Sequence, residues 1–253
     1  MTIRLVAFDL DDTLALSKTA IEPSMAAALA RLLKVCDVAI ISGGAWPQFN
    51  KQVLAKLPPE ADLSRLHILP TCGMRYCRFE DGQWNDIYQH FLTDEEKAAA
   101  IASVTKRAKE LGAWEPDAKV AGERIEDRGS QITYSALGQL ASPANKRAWD
   151  PTGARRHALR DAVAADLPSL SVGAGGSTSI DITRRGVDKA FGLKSLLDET
   201  GIPLSDVVFV GDRTEPGGND YPVVELGVET ITVTDWRNTL DVINDFCEQL
   251  EVR

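Results

Sequence analysis

The stretch Leu5-Val6-Ala7-Phe8-Asp9-Leu10-Asp11-Asp12-Thr13-Leu14 joins an apolar run to three closely spaced carboxylates. A short, continuous apolar run rich in branched residues predicts a strand that is buried on both faces. Ligands of open α/β sheets bind beyond the carboxyl ends of the strands, which is where Asp9, Asp11 and Asp12 fall. Like charges held together cost free energy unless a cation offsets them, and oxygen ligands favour a hard divalent ion such as Mg²⁺. The stretch therefore predicts a metal site at a strand end rather than a solvated acidic turn.

Strand and helix patterns alternate at both ends of the chain. Two further short apolar runs, 37–41 and 66–69, follow near the N-terminus, with a helix pattern between them. Near the other end, an amphipathic helix pattern precedes a buried strand at 207–210. Such alternation predicts a parallel sheet with helices on both faces. We therefore expect a Rossmann-like α/β core formed by residues 1–76 and 186–253.

The middle section, residues 77–185, has the pattern of an inserted α+β module. Asp81-Gly82 is a hairpin-turn signal between two strand-like stretches. Thr93 and Glu96 have the spacing of a capping box and predict a helix start. The stretches that follow resemble paired strands and helices without regular alternation, at 119–125, 131–137, 150–167, 169–172 and 177–182.

A second acidic loop extends from Gly211 to Asp220 and also follows a buried strand. Asp212 and Asp220 are spaced so that both could reach the cation held near Asp9. The paired glycines of this loop let the backbone approach a ligand closely. Such a loop alone is more often a plain turn, so its meaning depends on the first acidic segment.

Two weaker signals lie elsewhere in the predicted core. Ser42, Gly43 and Gly44 follow the second strand and offer a hydroxyl and backbone N–H groups to a phosphate. Lys189 lies near a predicted helix start, where the helix dipole disfavours a cation, so an anionic ligand is one explanation for it. Loop serines and lone lysines are also common without any ligand. These residues indicate a phosphate site only in combination with the two acidic segments.

The overall charge argues against two classes of partner. The chain has 37 acidic and 28 basic residues, a net charge of −9 and an isoelectric point near 4.9. An acidic surface repels nucleic acid and anionic membranes, so we expect neither, whereas a small phosphorylated metabolite can bind where a metal and placed cations reverse the sign. No apolar run reaches the ~18 residues of a membrane span.

The cysteines do not have the spacing of a zinc site or of a disulfide framework. There are four of them, Cys36, Cys72, Cys77 and Cys247. Their spacing predicts four free thiols and a cytoplasmic protein.

Together the four segments resemble the four motifs of the haloacid dehalogenase superfamily, in the same order. The resemblance covers nearly the whole chain. It is closest to members with a cap domain inserted between the second and third motifs, namely sucrose-phosphate phosphatases, Cof-type sugar phosphatases and eukaryotic-type phosphomannomutases. It implies a Mg²⁺-dependent phosphoryl-transfer enzyme with residues 77–185 as the cap that selects the substrate. A non-catalytic ligand-binding protein of this fold is the alternative from another class, and the four intact motifs argue against it.

The resemblance also implies a role for each motif residue. Asp9 is implied as the nucleophile that forms an aspartyl-phosphate, and Asp11 as the general acid and base. Ser42 and Lys189 are implied to hold phosphate oxygens. The implied ligands of Mg²⁺ are Asp9, the backbone carbonyl of Asp11, Asp212 and, in support, Asp220. The implied substrate-binding residues are Gly43, Arg128, Lys146, Arg147, Ser179, Asp181 and Asn219.

Several segments resemble phosphomannomutases in particular. Residues 211–220 are similar to their Gly-Asp-Lys-Thr-Met-Pro-Gly-Gly-Asn-Asp loop. Residues 175–182 are similar to their Gly-Gly-x-x-Ser-Phe-Asp-Val strand, in which the Ser and Asp contact the sugar. Arg128-Gly129-Ser130 resembles the start of their Arg-Asn-Gly segment. This likeness implies a hexose phosphate as substrate and a homodimer formed through the cap.

Other positions depart from the phosphomannomutase pattern. A mutase must bind a second phosphate in its cap, and it does so with arginines. Where the family reads Ser-Pro-Ile-Gly-Arg, this chain has the uncharged Gln139, and Lys146 or Arg147 stands at a further arginine position. Asp12 stands where most of the family has glycine, and Ser42 precedes its glycine pair as in phosphatases. We therefore expect a phosphatase that acts on a phosphorylated sugar or similar metabolite, with a mutase as the alternative.

Overall fold

The first strand forms where the apolar run predicts it, and the other elements follow along the chain. This computed structural model describes residues 2–251, apart from the side chain of Pro143. Its strands are β1 (Leu5–Phe8), β2 (Asp37–Ile41), β3 (Leu66–Leu69), β4 (Arg75–Glu80), β5 (Gln83–Gln89), β6 (Ile125–Asp127), β7 (Gln131–Ser135), β8 (Leu170–Ala174), β9 (Ser179–Arg184), β10 (Val207–Gly211) and β11 (Glu229–Thr232). Its helices are α1 (Pro23–Leu32), α2 (Trp46–Gln52), α3 (Asp94–Glu110), α4 (Pro143–Trp149), α5 (Ala154–Asp166), α6 (Lys189–Thr200), α7 (Tyr221–Glu225) and α8 (Trp236–Glu251).

The core sheet places β1 between two parallel neighbours. The strand order is β11-β10-β1-β2-β3-β4-β5, in which β11 to β3 run parallel and β4 and β5 form an antiparallel extension. Phe8 lies opposite Val210 on one side and Ile40 on the other. Val6 belongs to a core shared with α1 and α8, whereas Leu5 belongs to a core shared with α6 and α7. The α/β fold with helices on both faces is therefore confirmed.

Residues 90–186 form a second compact unit with its own sheet. Its strand order is β6-β7-β9-β8, and the neighbouring strands are antiparallel. Ile132 and Tyr134 of β7 and Ile180 of β9 share a hydrophobic core with Val104 of α3 and Leu159 of α5. The inserted unit is therefore an antiparallel sheet with helices packed on one face.

The boundary between the two units differs from the predicted one. The core unit continues to Gln89 and resumes at Val187, rather than ending at 76 and resuming at 186. The hairpin β4–β5 extends the core sheet because β4 pairs with β3, with His67 opposite Arg78. A local turn signal such as Asp81-Gly82 identifies a hairpin but does not say which sheet the hairpin joins.

Two elements of the inserted unit also differ from the prediction. The stretch 119–125 contributes only its last residue, Ile125, to a strand. The helix predicted for 150–167 is present as α5, which begins at Ala154, and the shorter helix α4 before it was not predicted. Gly153 is the N-cap of α5 and has a φ of 75°, a left-handed conformation that delays the start of the helix.

Two expectations from composition can be compared with the structure. All four cysteines are free, as predicted. Each helix within residues 2–251 is too short or too polar to cross a bilayer.

Candidate active site

Asp9 and Asp212 follow neighbouring strands at the carboxyl edge of the core sheet. Asp9 comes directly after β1, and its backbone N–H donates to the carbonyl of Val210 at 3.0 Å, so the strand ladder continues up to this residue. Asp212 comes directly after Gly211, the last residue of β10. Parallel strands share their carboxyl edge, so two motifs from opposite ends of the chain meet there.

A third carboxylate completes a cluster with these two. Oxygens of Asp9, Asp212 and Asp220 all lie within 4.8 Å of one another. The hydroxyl of Thr13 lies 3.4 Å from Oδ2 of Asp9 and 3.4 Å from Oδ1 of Asp212. Asp9 is 3% exposed and Asp220 is fully buried. The structure thus brings together the three carboxylates that the sequence singled out as metal ligands.

A buried ammonium group neutralises part of this charge. Lys189 is 1% exposed, and its Nζ lies 2.6 Å from Oδ1 of Asp9 and 2.5 Å from Oδ1 of Asp220. Lys189 is the first residue of α6, whose cap is the side chain of Asp188 accepting from the N–H of Phe191. A cation at a helix N-terminus opposes the helix dipole, so the two carboxylates are what stabilise it there.

The pKa values of these groups reflect their burial. Burial raises the pKa of Asp9 to about 7, against the opposing effect of Lys189. Burial and the nearby Asp220 also raise the pKa of Asp212. Burial alone would lower the pKa of Lys189, but Asp9 and Asp220 raise it overall, so the lysine stays charged. Full ionisation of the cluster therefore calls for positive charge beyond that of Lys189.

The cluster has the composition of a site for a hard divalent cation. Three ionised carboxylates and one ammonium group leave a net charge of −2. All the ligand atoms are oxygens, which suit Mg²⁺ better than softer metals. Oδ1 of Asp9 faces Lys189, and Oδ2 lies on the side of Thr13 and Asp212, so the two oxygens have different surroundings and each retains acceptor capacity.

Two glycines allow the loop after β10 to close around Asp220. A Cβ on Gly211 would clash with the carboxylate of Asp220, and one on Gly218 would clash with the backbone carbonyl of Arg213. The N–H of Arg213 donates to Oδ2 of Asp220 at 3.0 Å, which fixes this carboxylate from its other side. Asn219, predicted to contact substrate, is exposed at this loop.

Asp11 is held by side chains that the sequence did not identify. Its Oδ1 accepts from the N–H of Lys18 at 2.8 Å and from Nε2 of Gln52 at 3.2 Å. Its Oδ2 accepts from Nε2 of Gln48 at 3.0 Å and lies 3.1 Å from Nζ of Lys18. Burial alone would raise the pKa of Asp11, but the charge and hydrogen bonds of Lys18 and the hydrogen bond from Gln52 outweigh it and lower the pKa. Gln48 and Gln52 are four residues apart, so they share one face of α2. This spacing is visible in the sequence, but no motif marks these two residues as partners of Asp11.

The backbone conformation of Asp12 is one that glycine adopts readily. Its φ is 65°, in the left-handed region that glycine adopts readily and aspartate tolerates. Its Oδ1 accepts from the N–H of Ser17 at 3.0 Å. Asp12 therefore stabilises its own loop, and its carboxylate is not part of the three-carboxylate cluster.

The loop that follows β2 is fixed by a second, tightly turned loop. Ser42 is buried, and its Oγ accepts from the N–H of Gly44 at 3.2 Å. The carbonyl of Ser42 accepts from the N–H of Cys72, and the carbonyl of Gly44 accepts from the N–H of Thr71, each at 2.9 Å. These contacts hold the Ser42 hydroxyl and the Gly43 backbone at the carboxyl edge of the core sheet.

Two predicted sugar-binding residues of the inserted unit share one face of its sheet. Ser179 and Asp181 are two residues apart on β9, so they face away from the packed side chain of Ile180. Oδ1 of Asp181 accepts from Nε2 of Gln131 at 2.8 Å and from Oγ1 of Thr133 at 2.7 Å. A carboxylate fixed by neutral donors on one oxygen retains acceptor capacity on the other.

The predicted cations of the inserted unit lie on different elements. Arg128 follows β6 and donates to the carboxylate of Glu126 at 2.8 Å. Lys146 lies on α4 and donates from Nζ to the carbonyl of Gln139 at 3.0 Å. Arg147, next to it, is exposed. A bound phosphate would therefore share Arg128 and Lys146 with partners inside the unit.

Comparison with known proteins identifies the family. The family model of eukaryotic phosphomannomutase matches residues 25–246. The chain belongs to this family. Phosphomannomutase 2 of Dictyostelium discoideum is 24% identical over 250 residues, which cover 94% of each chain.

Solved structures show the same fold. A haloacid dehalogenase-like hydrolase from Bacteroides thetaiotaomicron superposes with a TM-score of 0.65 at 17% identity, over 97% of this chain and 100% of that one. IMP-bound Plasmodium falciparum IMP-nucleotidase superposes with a TM-score of 0.68 at 13% identity, over 98% of this chain and 68% of that one. At such identities the likeness concerns the fold alone, which is that of the haloacid dehalogenase superfamily.

Family and fold together confirm the predicted class of reaction. The chain is a phosphoryl-transfer enzyme of the haloacid dehalogenase superfamily with phosphomannomutase relatives. The sequence favours a phosphatase because Gln139 stands where the phosphomannomutase pattern has an arginine. The family match reverses that preference, because it supports the mutase alternative better.

Proposed function

We propose that the chain is a Mg²⁺-dependent hexose phosphate mutase of the phosphomannomutase type, which passes a phosphoryl group through an aspartyl-phosphate on Asp9. The family match over residues 25–246 is the observation that carries the mutase assignment. The cluster of Asp9, Lys189 and Asp212 supports the chemistry. Phosphoryl transfer depends chiefly on positioning and charge neutralisation, and these groups are suited to both.

The proposed reaction has two half-reactions, in which Asp9 is first phosphorylated and then dephosphorylated. In the first, a carboxylate oxygen of Asp9 attacks the phosphorus, the bond to the sugar oxygen breaks, and Asp11 donates to that oxygen a proton taken up in the preceding transfer, because its lowered pKa leaves it ionised at rest. In the second, the acceptor hydroxyl gives its proton to Asp11 and attacks the phosphorus, which regenerates the carboxylate of Asp9. Lys189 and Ser42 hold phosphate oxygens throughout. Mg²⁺ would supply charge neutralisation when bound, and Asp9, the carbonyl of Asp11, Asp212 and Asp220 would hold it.

The inserted unit selects the sugar and holds the second phosphate in this proposal. Ser179 and Asp181 offer a hydroxyl and a carboxylate oxygen to sugar hydroxyls. Nε2 of Gln139 is buried and has no hydrogen-bond partner among the described residues, so a phosphate oxygen would satisfy it. Lys146 and Arg147 supply charge for the same phosphate. A homodimer formed through this unit and a cytoplasmic location complete the proposal.

A phosphatase is the second candidate, and Gln139 is the observation that favours it. A neutral amide binds phosphate more weakly than a bidentate arginine does. A hydrolase needs one phosphate site, because water is the acceptor. The same Asp9 and Asp11 would then transfer the phosphoryl group to water.

The first test compares isomerisation with phosphate release. The protein with Mg²⁺ and a catalytic amount of glucose 1,6-bisphosphate is given mannose 1-phosphate, and mannose 6-phosphate and inorganic phosphate are measured together. We expect isomerisation to exceed release by about tenfold or more, because a mutase must keep water from its phosphoenzyme. Faster phosphate release would establish the hydrolase instead. Undiminished activity in EDTA would contradict the Mg²⁺ assignment.

Gln139→Arg tests whether position 139 contacts a phosphate. Arginine restores a charged, bidentate donor, and hydrogen bonds to charged groups contribute roughly 1.5–3 kcal/mol. We expect the ratio of isomerisation to phosphate release to rise by about tenfold in the same assay. Asn145→Arg is the matched control, because it adds the same charge at an exposed position of α4. Equal effects of the two variants would show that charge in the unit, rather than position 139, matters.

A further inference from the structure

We propose that Gln48 is a positioning residue that fixes the carboxylate of Asp11 for proton transfer, an inference that rests on the phosphoryl-transfer chemistry proposed above. Nε2 of Gln48 donates to Oδ2 of Asp11 at 3.0 Å. Oε1 of Gln48 accepts from Nζ of Lys18 at 2.7 Å, and this Nζ lies 3.1 Å from the same Oδ2. The amide, the ammonium and the carboxylate therefore form a closed set of contacts.

The amide of Gln48 fits this position because it donates on one side and accepts on the other. If the amide flipped, its oxygen would face the carboxylate of Asp11 and its nitrogen would face the ammonium of Lys18. Glutamate would place a second negative charge against Asp11, and methionine would offer no donor. The side chain also needs Gly44 of the neighbouring loop, where a Cβ would clash with the amide.

Gln48 is better placed than Lys18 to fix Asp11. The side chain of Lys18 is 63% exposed, and an exposed ion pair contributes little because water competes for both charges. Gln52 and the N–H of Lys18 hold the other oxygen, Oδ1. Loss of Gln48 would thus leave Oδ2 with only the exposed ammonium of Lys18 and allow the carboxylate to rotate away from the leaving oxygen.

A positioned acid matters most when the leaving group is a poor one. A sugar alkoxide needs a proton as it departs, whereas p-nitrophenolate is a stable anion that departs without one. A loss of acid positioning should therefore slow phosphoryl transfer from a sugar and spare transfer from p-nitrophenyl phosphate. A general loss of structure would slow both.

The experiment measures the single-turnover rate of Asp9 phosphorylation by acid quench, with glucose 1,6-bisphosphate and with p-nitrophenyl phosphate, at saturating Mg²⁺. For Gln48→Met we expect about a 100-fold loss with the sugar bisphosphate and at most about a threefold loss with p-nitrophenyl phosphate. Gln48→Glu is expected to show the same selectivity, since it also lacks the donor. Asn50→Ala, at an exposed position of α2, is the control and is expected to change neither rate.

Three outcomes would overturn the inference. Equal losses with the two substrates would assign Gln48 a structural role. Wild-type rates with the sugar bisphosphate would show that Asp11 does not need Gln48. A wild-type protein that is phosphorylated by neither ester would instead contradict the proposed function, and the inference would fall with it.

Discussion

Asp9→Asn is expected to eliminate phosphoryl transfer, with a loss in kcat of about 10⁴-fold or more. The amide oxygen is uncharged and is a weak nucleophile. In one of its two orientations the amide also presents a second donor to Nζ of Lys189, which now lies 2.6 Å from Oδ1. Protein incubated with radiolabelled glucose 1,6-bisphosphate and quenched in acid is expected to carry label in the wild type and none in the variant. Undiminished labelling of the variant would show that another residue is the nucleophile.

The same substitution is expected to change the pH dependence of folding without metal. Burial raises the pKa of Asp9 from 3.8 to about 7, so the folded protein binds this proton more tightly than the unfolded chain does. The wild type in EDTA is therefore expected to lose stability as the pH rises from about 4 through about 7. The asparagine of the variant does not titrate, so the variant is expected to lack this loss of stability. Thermal unfolding across this range measures the difference. Asp81→Asn, in an exposed turn, is the control and should keep the wild-type dependence.

The centre of the site could be predicted because its motifs follow buried strands. The apolar runs before Asp9, Ser42 and Asp212 predict parallel strands, and parallel strands share one carboxyl edge. Several carboxylates at such an edge require a cation, which connects Asp220 and Lys189 to the same place. These conclusions need the order of the strands along the chain and no knowledge of side-chain packing.

The surroundings of Asp11 could not be predicted in the same way. Lys18 itself has a φ of 63°, in the left-handed region, and its N–H donates to Asp11 from this turn. The residue type at this position does not predict such a turn. Gln48 and Gln52 are ordinary helix residues until the packing of α2 brings them to the carboxylate. The hairpin β4–β5 belongs to the core unit rather than to the predicted cap for a similar reason, because sheet membership depends on pairing with β3. Contacts between distant segments, rather than local patterns, decide all of these features.

Lys189→Met is expected to destabilise the metal-free protein by about 3–5 kcal/mol and to abolish phosphoryl transfer. Lys189 is 1% exposed, and its removal leaves the carboxylates of Asp9 and Asp220 buried without their cation. Methionine has similar length and volume, so the loss reports the charge rather than a cavity. Urea unfolding at neutral pH measures the effect, and added Mg²⁺ is expected to restore part of the stability by replacing the missing positive charge.

Lys194→Met, on the exposed face of the same helix, is the matched control, and its free energy of unfolding should lie within about 0.5 kcal/mol of the wild-type value. If Lys189→Met in EDTA lay equally close to wild type, the carboxylates would not be ionised in the folded protein. Lys189 would then act only on the substrate.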